Sequence, residues 1–252
     1  MASKETLRIH PAWRGALETA GFRRLGDFLA KGEVIRHRDG KENVRVRLGE
    51  GEAAVRLFLK RHPPGGGDPG WGEMENHQRV SSLGIDVPEV AATGKGPGGS
   101  FLATVEIAGG LPADRFLEEE LGFPPDREAF ARKRRLLGET ARIARTLHER
   151  GLCHRDLYLC HFFVVPGEGD RIVLIDLQRV RPLGAFRRRW IVKDLAALNH
   201  SAKEGIVSVS DRLRFLRTYL GLDRLDGRSR KLVRRIAKKT ARIRRHAEKR
   251  RR

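Results

Sequence analysis

The chain has 252 residues, 39% of them hydrophobic, which is enough for a packed core and excludes a disordered chain. Its formal net charge is +20, and from Arg228 to Arg252 Lys and Arg dominate, with Glu248 the only acidic residue. Such a field draws anionic partners (nucleic acid, phosphorylated sugars, an acidic membrane surface) without choosing among them. Two cysteines, Cys153 and Cys160, are too few and too close for a disulfide framework or a tetrahedral zinc site, and they fit a reducing, cytoplasmic compartment. The opening Met1–Trp13 has no apolar core of signal-peptide length, and no segment reaches the ~18 apolar residues of a membrane span, so a soluble or peripheral protein is expected.

Strand character runs from Val34 to Lys60. Asn43–Leu48 alternates polar and apolar residues, Gly49-Glu-Gly51 signals a turn, and Ala53–Leu59 resumes the strand, an antiparallel hairpin with one face on a core. Pro63–Gly70 forces a loop, a helix follows from Trp71 or Gly72 to about Leu83, and Gly94–Gly99 is a turn before a strand at Phe101–Val105. Beyond Gly109-Gly110 the character is helical. Asp126, after Pro124-Pro125, caps a long helix whose stripe is Phe130, Leu137, Ala141, Ala144 and His148. A short buried strand, Arg171–Ile175, ends on Asp176, and helices follow from Lys193, Ser210 and Arg228. The pattern is α+β and two-lobed: residues 1–106 with a small antiparallel sheet and one helix, a mostly helical 107–225, and a basic tail 226–252.

The chemistry lies in Gly151-Leu-Cys-His-Arg-Asp156 followed by Ile175-Asp176. Phosphoryl transfer needs one carboxylate to orient an acceptor hydroxyl and accept its proton, and another to hold Mg²⁺ against phosphates. Asp156 on a loop and Asp176 at a strand end supply both in that order. Lys60, closing Val55–Lys60, is placed to reach the α and β phosphates of ATP, with Glu75 as its partner from the following helix and Glu73 as the fallback. Thr104-Val-Glu106-Ile107 is the candidate hinge, with the backbone at Glu106 and Ile107 expected to bond the adenine as an added strand does.

His154–Phe162, Leu174–Arg179 and Arg188–Leu195, with Phe58–Lys60 and the Glu75 region, resemble the lipopolysaccharide core kinases of the Kdo and WaaP type over roughly Val34 to Ser201. The resemblance implies a protein-kinase-like fold and transfer of the ATP γ-phosphate to a heptose or Kdo hydroxyl of the inner core. It makes Asp156 the catalytic carboxylate, Asp176 the metal ligand and Lys60 the phosphate-binding lysine. His154, Arg155 and Asp194 become structural support for the catalytic loop. Three departures from the protein-kinase pattern stand out. No Gly-x-Gly-x-x-Gly precedes Val44, where only Arg38–Lys41 is available over the phosphates. His161 replaces a metal-binding asparagine and, as a nitrogen donor, is a poor ligand for Mg²⁺ that would rather bond the loop or the acceptor. Leu177-Gln178 follows Asp176 in place of Phe-Gly. The two last fit the lipopolysaccharide kinases.

Two alternatives stay open on the residues alone: a protein or small-molecule kinase, and a non-catalytic pseudokinase or polyanion-binding module. The tail carries Leu232, Ile236, Thr240, Ile243 and Ala247 as one apolar stripe. It reads as a docked helix, as a contact with anionic membrane at the inner face of the cytoplasmic membrane, or as a contact with the anionic glycan acceptor. Nucleic acid is disfavoured, because the tail has no aromatic residue on which a base could stack.

Overall fold

In a computed structural model, residues 4–65, 69–121 and 126–251 are described. Part of the Pro63–Gly70 loop and the Pro124-Pro125 pair expected before the long helix lie outside them. The chain divides into two compact units, residues 1–82 with 87–108 and residues 83–86 with 109–252.

The first unit contains β1 (Thr6–Ile9), α1 (Pro11–Thr19), α2 (Leu25–Ala30), β2 (Glu33–Arg38), β3 (Lys41–Leu48), β4 (Val55–His62), α3 (Pro69–Ser81), β5 (Val90–Gly96) and β6 (Gly99–Val105). Its antiparallel sheet has the order β1-β5-β6-β4-β3-β2. Alternation puts Val44, Val46 and Leu48 of β3 with Leu57 and Leu59 of β4 into a core closed by Leu17 of α1 and Phe28 of α2. The Phe28 and Phe101 rings stack there at 4.4 Å. Residue parity then turns Lys60 to the other face, toward α3. Gly70 sets the approach of that helix: a Cβ on it would come within 2.7 Å of the Phe101 backbone in β6.

Three features of this unit depart from the sequence reading. The first is β1, α1 and α2, which precede the first expected strand. The second is β4, which continues two residues past Lys60. The third is Gly94, expected in a turn and found within β5. A side chain there would meet the Phe101 ring at 2.7 Å and Leu25 at 2.8 Å, so this glycine serves close packing.

The second unit contains β7 (Leu111–Pro112), α4 (Ala113–Glu119), α5 (Arg127–Glu149), β8 (Leu152–Cys153), β9 (Phe162–Val165), β10 (Arg171–Leu174), β11 (Arg181–Pro182), α6 (Arg187–Ser201), α7 (Val209–Leu220) and α8 (Gly227–Arg251). Asp126 caps α5 by accepting from the Ala129 N–H at 2.8 Å. Leu137, Ala141, Ala144 and His148 are buried along it, whereas Phe130, expected on the same stripe, is exposed. Helix α7 starts on Ser208, whose hydroxyl accepts from the Asp211 N–H while Asp211 reaches back, a capping box. Helix α6 starts six residues before the expected Lys193. Its first turn is Arg187-Arg-Arg, the reverse of the charge a helix N-terminus favours, which hides the start from a sequence reading. Helix α8 packs on α6. Thr240, on the expected apolar stripe, is buried and accepts from Asn199 at 3.0 Å.

Candidate active site

Within the first unit, Lys60 lies in β4, between Asn43 of β3 and Leu102 of β6. Its Nζ donates to Glu73 Oε1 at 2.7 Å, and the Glu73 side chain is 1% exposed. The partner is therefore Glu73, and the first choice of Glu75 is corrected. Two residues along a helix turn a side chain by about 200°. Glu73, Asn76, His77 and Val80 form the buried face of α3 and Glu75 is exposed. The Glu106 N–H extends the sheet by donating to the Arg56 carbonyl at 2.9 Å, and its carboxylate pairs with the Arg56 guanidinium. Ile107 follows it, outside the strand.

In the second unit the loop after β8 carries His154, Arg155 and Asp156. Asp194 of α6 is fully buried, and its Oδ2 accepts from the His154 N–H at 2.8 Å and lies 3.3 Å from His148 Nε2. His148 in turn bonds the Tyr219 hydroxyl at 2.9 Å. Asp194 and His148 thus join this loop to α5 and α7. The buried His154 places Nε2 3.1 Å from the Ile175 carbonyl, tying this loop to the strand end that carries Asp176. Burial pushes the His154 imidazole pKa down, which favours the neutral ring.

Two non-glycine residues here have left-handed backbone, Arg155 at φ 68° and Asp176 at φ 58°. Each such conformation costs on the order of 1–3 kcal/mol and persists where surrounding contacts over-determine it. His161 supplies one of those contacts. A carbonyl oxygen only accepts, so the His161 Nδ1, 2.7 Å from the Asp156 carbonyl, is the donor. The other ring nitrogen, Nε2, lies 3.6 Å from Asp176 Oδ2, so one imidazole spans both loops.

A divalent cation is implied by kinase chemistry, and the donor set fits one carried in with the nucleotide. No group of three or more His, Cys, Asp or Glu able to hold a metal occurs among the described residues, while Mg²⁺ commonly takes one or two carboxylates and completes its shell with phosphates and water. The cysteines are unpaired and shielded: burial raises both thiol pKa values, that of Cys160 to about 11.

Sequence reasoning missed the cations around Asp156. The Arg179 guanidinium donates to Asp156 Oδ2 at 2.6 Å, and Lys193 Nζ lies 3.6 Å from Oδ1. Lys193 also donates to the Arg155 carbonyl, and the Trp190 ring lies under both Arg155, at 4.0 Å, and Lys193, at 5.6 Å. Both cations sit in segments that the motif reading covered. Their roles depend on a helix start and a loop conformation that the motif does not contain.

The model of the lipopolysaccharide kinase (Kdo/WaaP) family matches residues 70–219, more than half of the chain. The lipopolysaccharide core heptose(I) kinase WaaP of Pseudomonas aeruginosa is 30% identical over 209 residues, covering 75% of this chain and 77% of that protein. Its Escherichia coli K12 namesake is 28% identical over 239 residues, covering 83% and 84%. Among solved structures, WaaP in complex with acyl carrier protein superposes with a TM-score of 0.71 at 30% identity, covering 97% of this chain and 98% of that one. An aminoglycoside-3'-phosphotransferase of type VIII, at 20% identity, TM-score 0.56 and coverage of 90% and 99%, shares the kinase-like fold.

Proposed function

The chain belongs to the lipopolysaccharide kinase (Kdo/WaaP) family, and from that premise we infer an ATP-dependent kinase that phosphorylates a heptose or Kdo hydroxyl of the lipopolysaccharide inner core. The observation that carries the reading is the pair of loop carboxylates, Asp156 and Asp176, spanned by His161. Asp156 orients the acceptor hydroxyl and takes its proton as the γ-phosphoryl transfers. Lys60, positioned by Glu73, holds the α and β phosphates, and the Glu106–Ile107 backbone holds the adenine edge. Asp176 is the residue that would hold Mg²⁺, which supplies charge neutralisation between the phosphates. His161 we assign to orienting Asp176 and the Asp156 loop, not to the metal. The excess positive charge of the chain suits a densely anionic glycan acceptor.

The decisive experiment is transfer of labelled phosphate from Mg-ATP to purified lipopolysaccharide core, for wild type and Asp156→Ala. A general base contributes roughly 10²–10⁴-fold, so the variant should fall by that factor. Label on protein alone would sink the acceptor assignment, and nucleotide binding without turnover would favour a pseudokinase.

Two partners complete the proposal. No helix of the described residues is long and apolar enough to cross a membrane. Helix α8, however, exposes Arg234, Arg235, Lys238, Arg242 and Arg245 away from its docked stripe, and each cation close to anionic lipid contributes about 1 kcal/mol. We read it as a peripheral contact with the inner face of the cytoplasmic membrane, which flotation with anionic against neutral vesicles tests. The likeness to WaaP solved with an acyl carrier protein makes such a protein a second candidate partner. A mostly apolar pocket of about 250 Å³ in the second unit, lined by Leu137, Leu159, Leu198, Val207, Leu216 and Ile236 with Asn199, Asp211 and Arg212, is a candidate place for an apolar group of such a partner.

A further inference from the structure

A carboxylate that must accept a proton is here approached by two cations, and they differ in kind. Arg179 is exposed and reaches Asp156 through a flexible side chain. Lys193 is 23% exposed and rises from the middle of α6. Its ammonium is held three ways: by the Arg155 carbonyl, by Asp156 Oδ1 at 3.6 Å and by the face of Trp190 at 5.6 Å. Arg179 makes its 2.6 Å bond to Asp156 Oδ2, the oxygen that Lys193 does not face. The neighbouring carboxylate of Asp194 accepts from the His154 N–H and also acts electrostatically on Lys193. The Lys193 ammonium is thus held in place beside the point where an acceptor hydroxyl has to sit.

The catalytic loop itself offers no such charge. Between Asp156 and His161 stand Leu157, Tyr158, Leu159 and Cys160, none of them cationic. Phosphoryl transfer spreads negative charge over the equatorial oxygens of the moving group, and preorganised positive charge at that position is the usual source of rate. We propose that Lys193 is a catalytic residue, its ammonium contacting the phosphoryl group as it passes to the hydroxyl oriented by Asp156. This rests on the phosphotransferase reading above. The bond from phosphorus to the acceptor oxygen forms while the bond to the ADP oxygen breaks, the hydroxyl proton goes to Asp156, and Lys193 keeps its protons and acts through charge alone. Burial pushes the Lys193 pKa down, Asp156 and Asp194 pull it up, and Arg179 pushes it down.

The test compares wild type, Lys193→Met and Lys193→Gln in transfer to lipopolysaccharide core and in ATP hydrolysis, with nucleotide affinity measured separately. Expected is a kcat lower by about 100-fold or more in either variant, with the ATP Kd within about twofold of wild type. Rescue separates charge from packing. Lys193→Cys treated with 2-bromoethylamine rebuilds an ammonium at nearly the lysine reach and should recover at least about 10-fold in kcat. Cys153 and Cys160, with raised thiol pKa values, react poorly, and treated wild type controls for them. A kcat within about threefold of wild type in both variants overturns the inference, as does a loss that aminoethylation does not recover. If wild type labels no sugar while hydrolysing ATP with the same dependence on Lys193, the acceptor reading falls and this inference stands. Sugar labelling that is indifferent to Lys193 is the reverse result.

Discussion

The first unit holds its charged pair with regular structure, and the second holds its carboxylates with a strained loop. Lys60 and Glu73 each sit inside an element, a central strand and a helix, and reach one another because parity and helical phase point them together. Asp156 and Asp176 sit outside regular elements, next to or on residues with left-handed backbone, and depend on Asp194, His154 and His161 for their place. A pair set by packing degrades by degrees when packing is trimmed. A loop set by a few buried hydrogen bonds gives way when one of its anchors goes.

The largest effect should therefore come from Asp194, which never meets substrate in the proposed chemistry. Asp194→Ala leaves the His154 N–H and His148 Nε2 without their acceptor in a buried setting. Each orphaned donor costs about 1–3 kcal/mol, so a total near 3–5 kcal/mol is expected in denaturant unfolding. Transfer activity should be lost at temperatures where the variant is still folded. An active, undestabilised Asp194→Ala would mean that the loop is held by something else.

Acid should act next, through the first unit. Burial pushes the pKa of both His62 and His77 down to about 4, with Lys60 adding repulsion in each case. The sign follows directly: the native rings stay neutral while the unfolded chain takes up protons below about 6.5. Stability is full above that pH and is lost as the pH falls toward 4. For His77, whose Nδ1 donates to the Pro88 carbonyl at 3.1 Å, the loss approaches about 3 kcal/mol. Chemical denaturation at pH 7 and pH 4.5 should show the drop, and His77→Gln should reduce it. An equal midpoint at both pH values would show that these rings are not the neutral, buried groups described.

How far the sequence foretold this arrangement depends on what fixes each part. Alternation in Val44–Leu48 and Val55–Leu59 is a strong period-two signal, so the central hairpin is readable. Asp156 and Asp176 are readable as residue types at a spacing, the two carboxylates that the proposed chemistry asks for, whereas Asp194 is readable only through the family resemblance. The loop geometry that brings Arg179 to Asp156 has no periodicity to read. Helix α2 spans six residues and β1 four, too short for a hydrophobic period to register, and both lie ahead of the first strand that was expected. Gly94 shows the opposite failure: a glycine signals a turn in sequence, yet here it clears space for Phe101. Lys193 was in view throughout, but its direction depends on α6 starting on three arginines.

The smallest effect is also the cleanest test of phase along α3. Glu73→Gln removes the charge that Lys60 meets at 2.7 Å and leaves that ammonium beside a neutral amide. Breaking one side of a buried pair costs up to about 3–5 kcal/mol, and the 24% exposure of Lys60 brings the expectation to about 2 kcal/mol, with weaker nucleotide binding. Glu75→Gln, two residues on and exposed, should stay within about 0.5 kcal/mol and leave nucleotide affinity unchanged. The two substitutions are chemically identical, so any difference between them reports only which face of the helix each residue occupies. Equal effects would mean that α3 is rotated from the position described and that Lys60 meets a different residue of that helix.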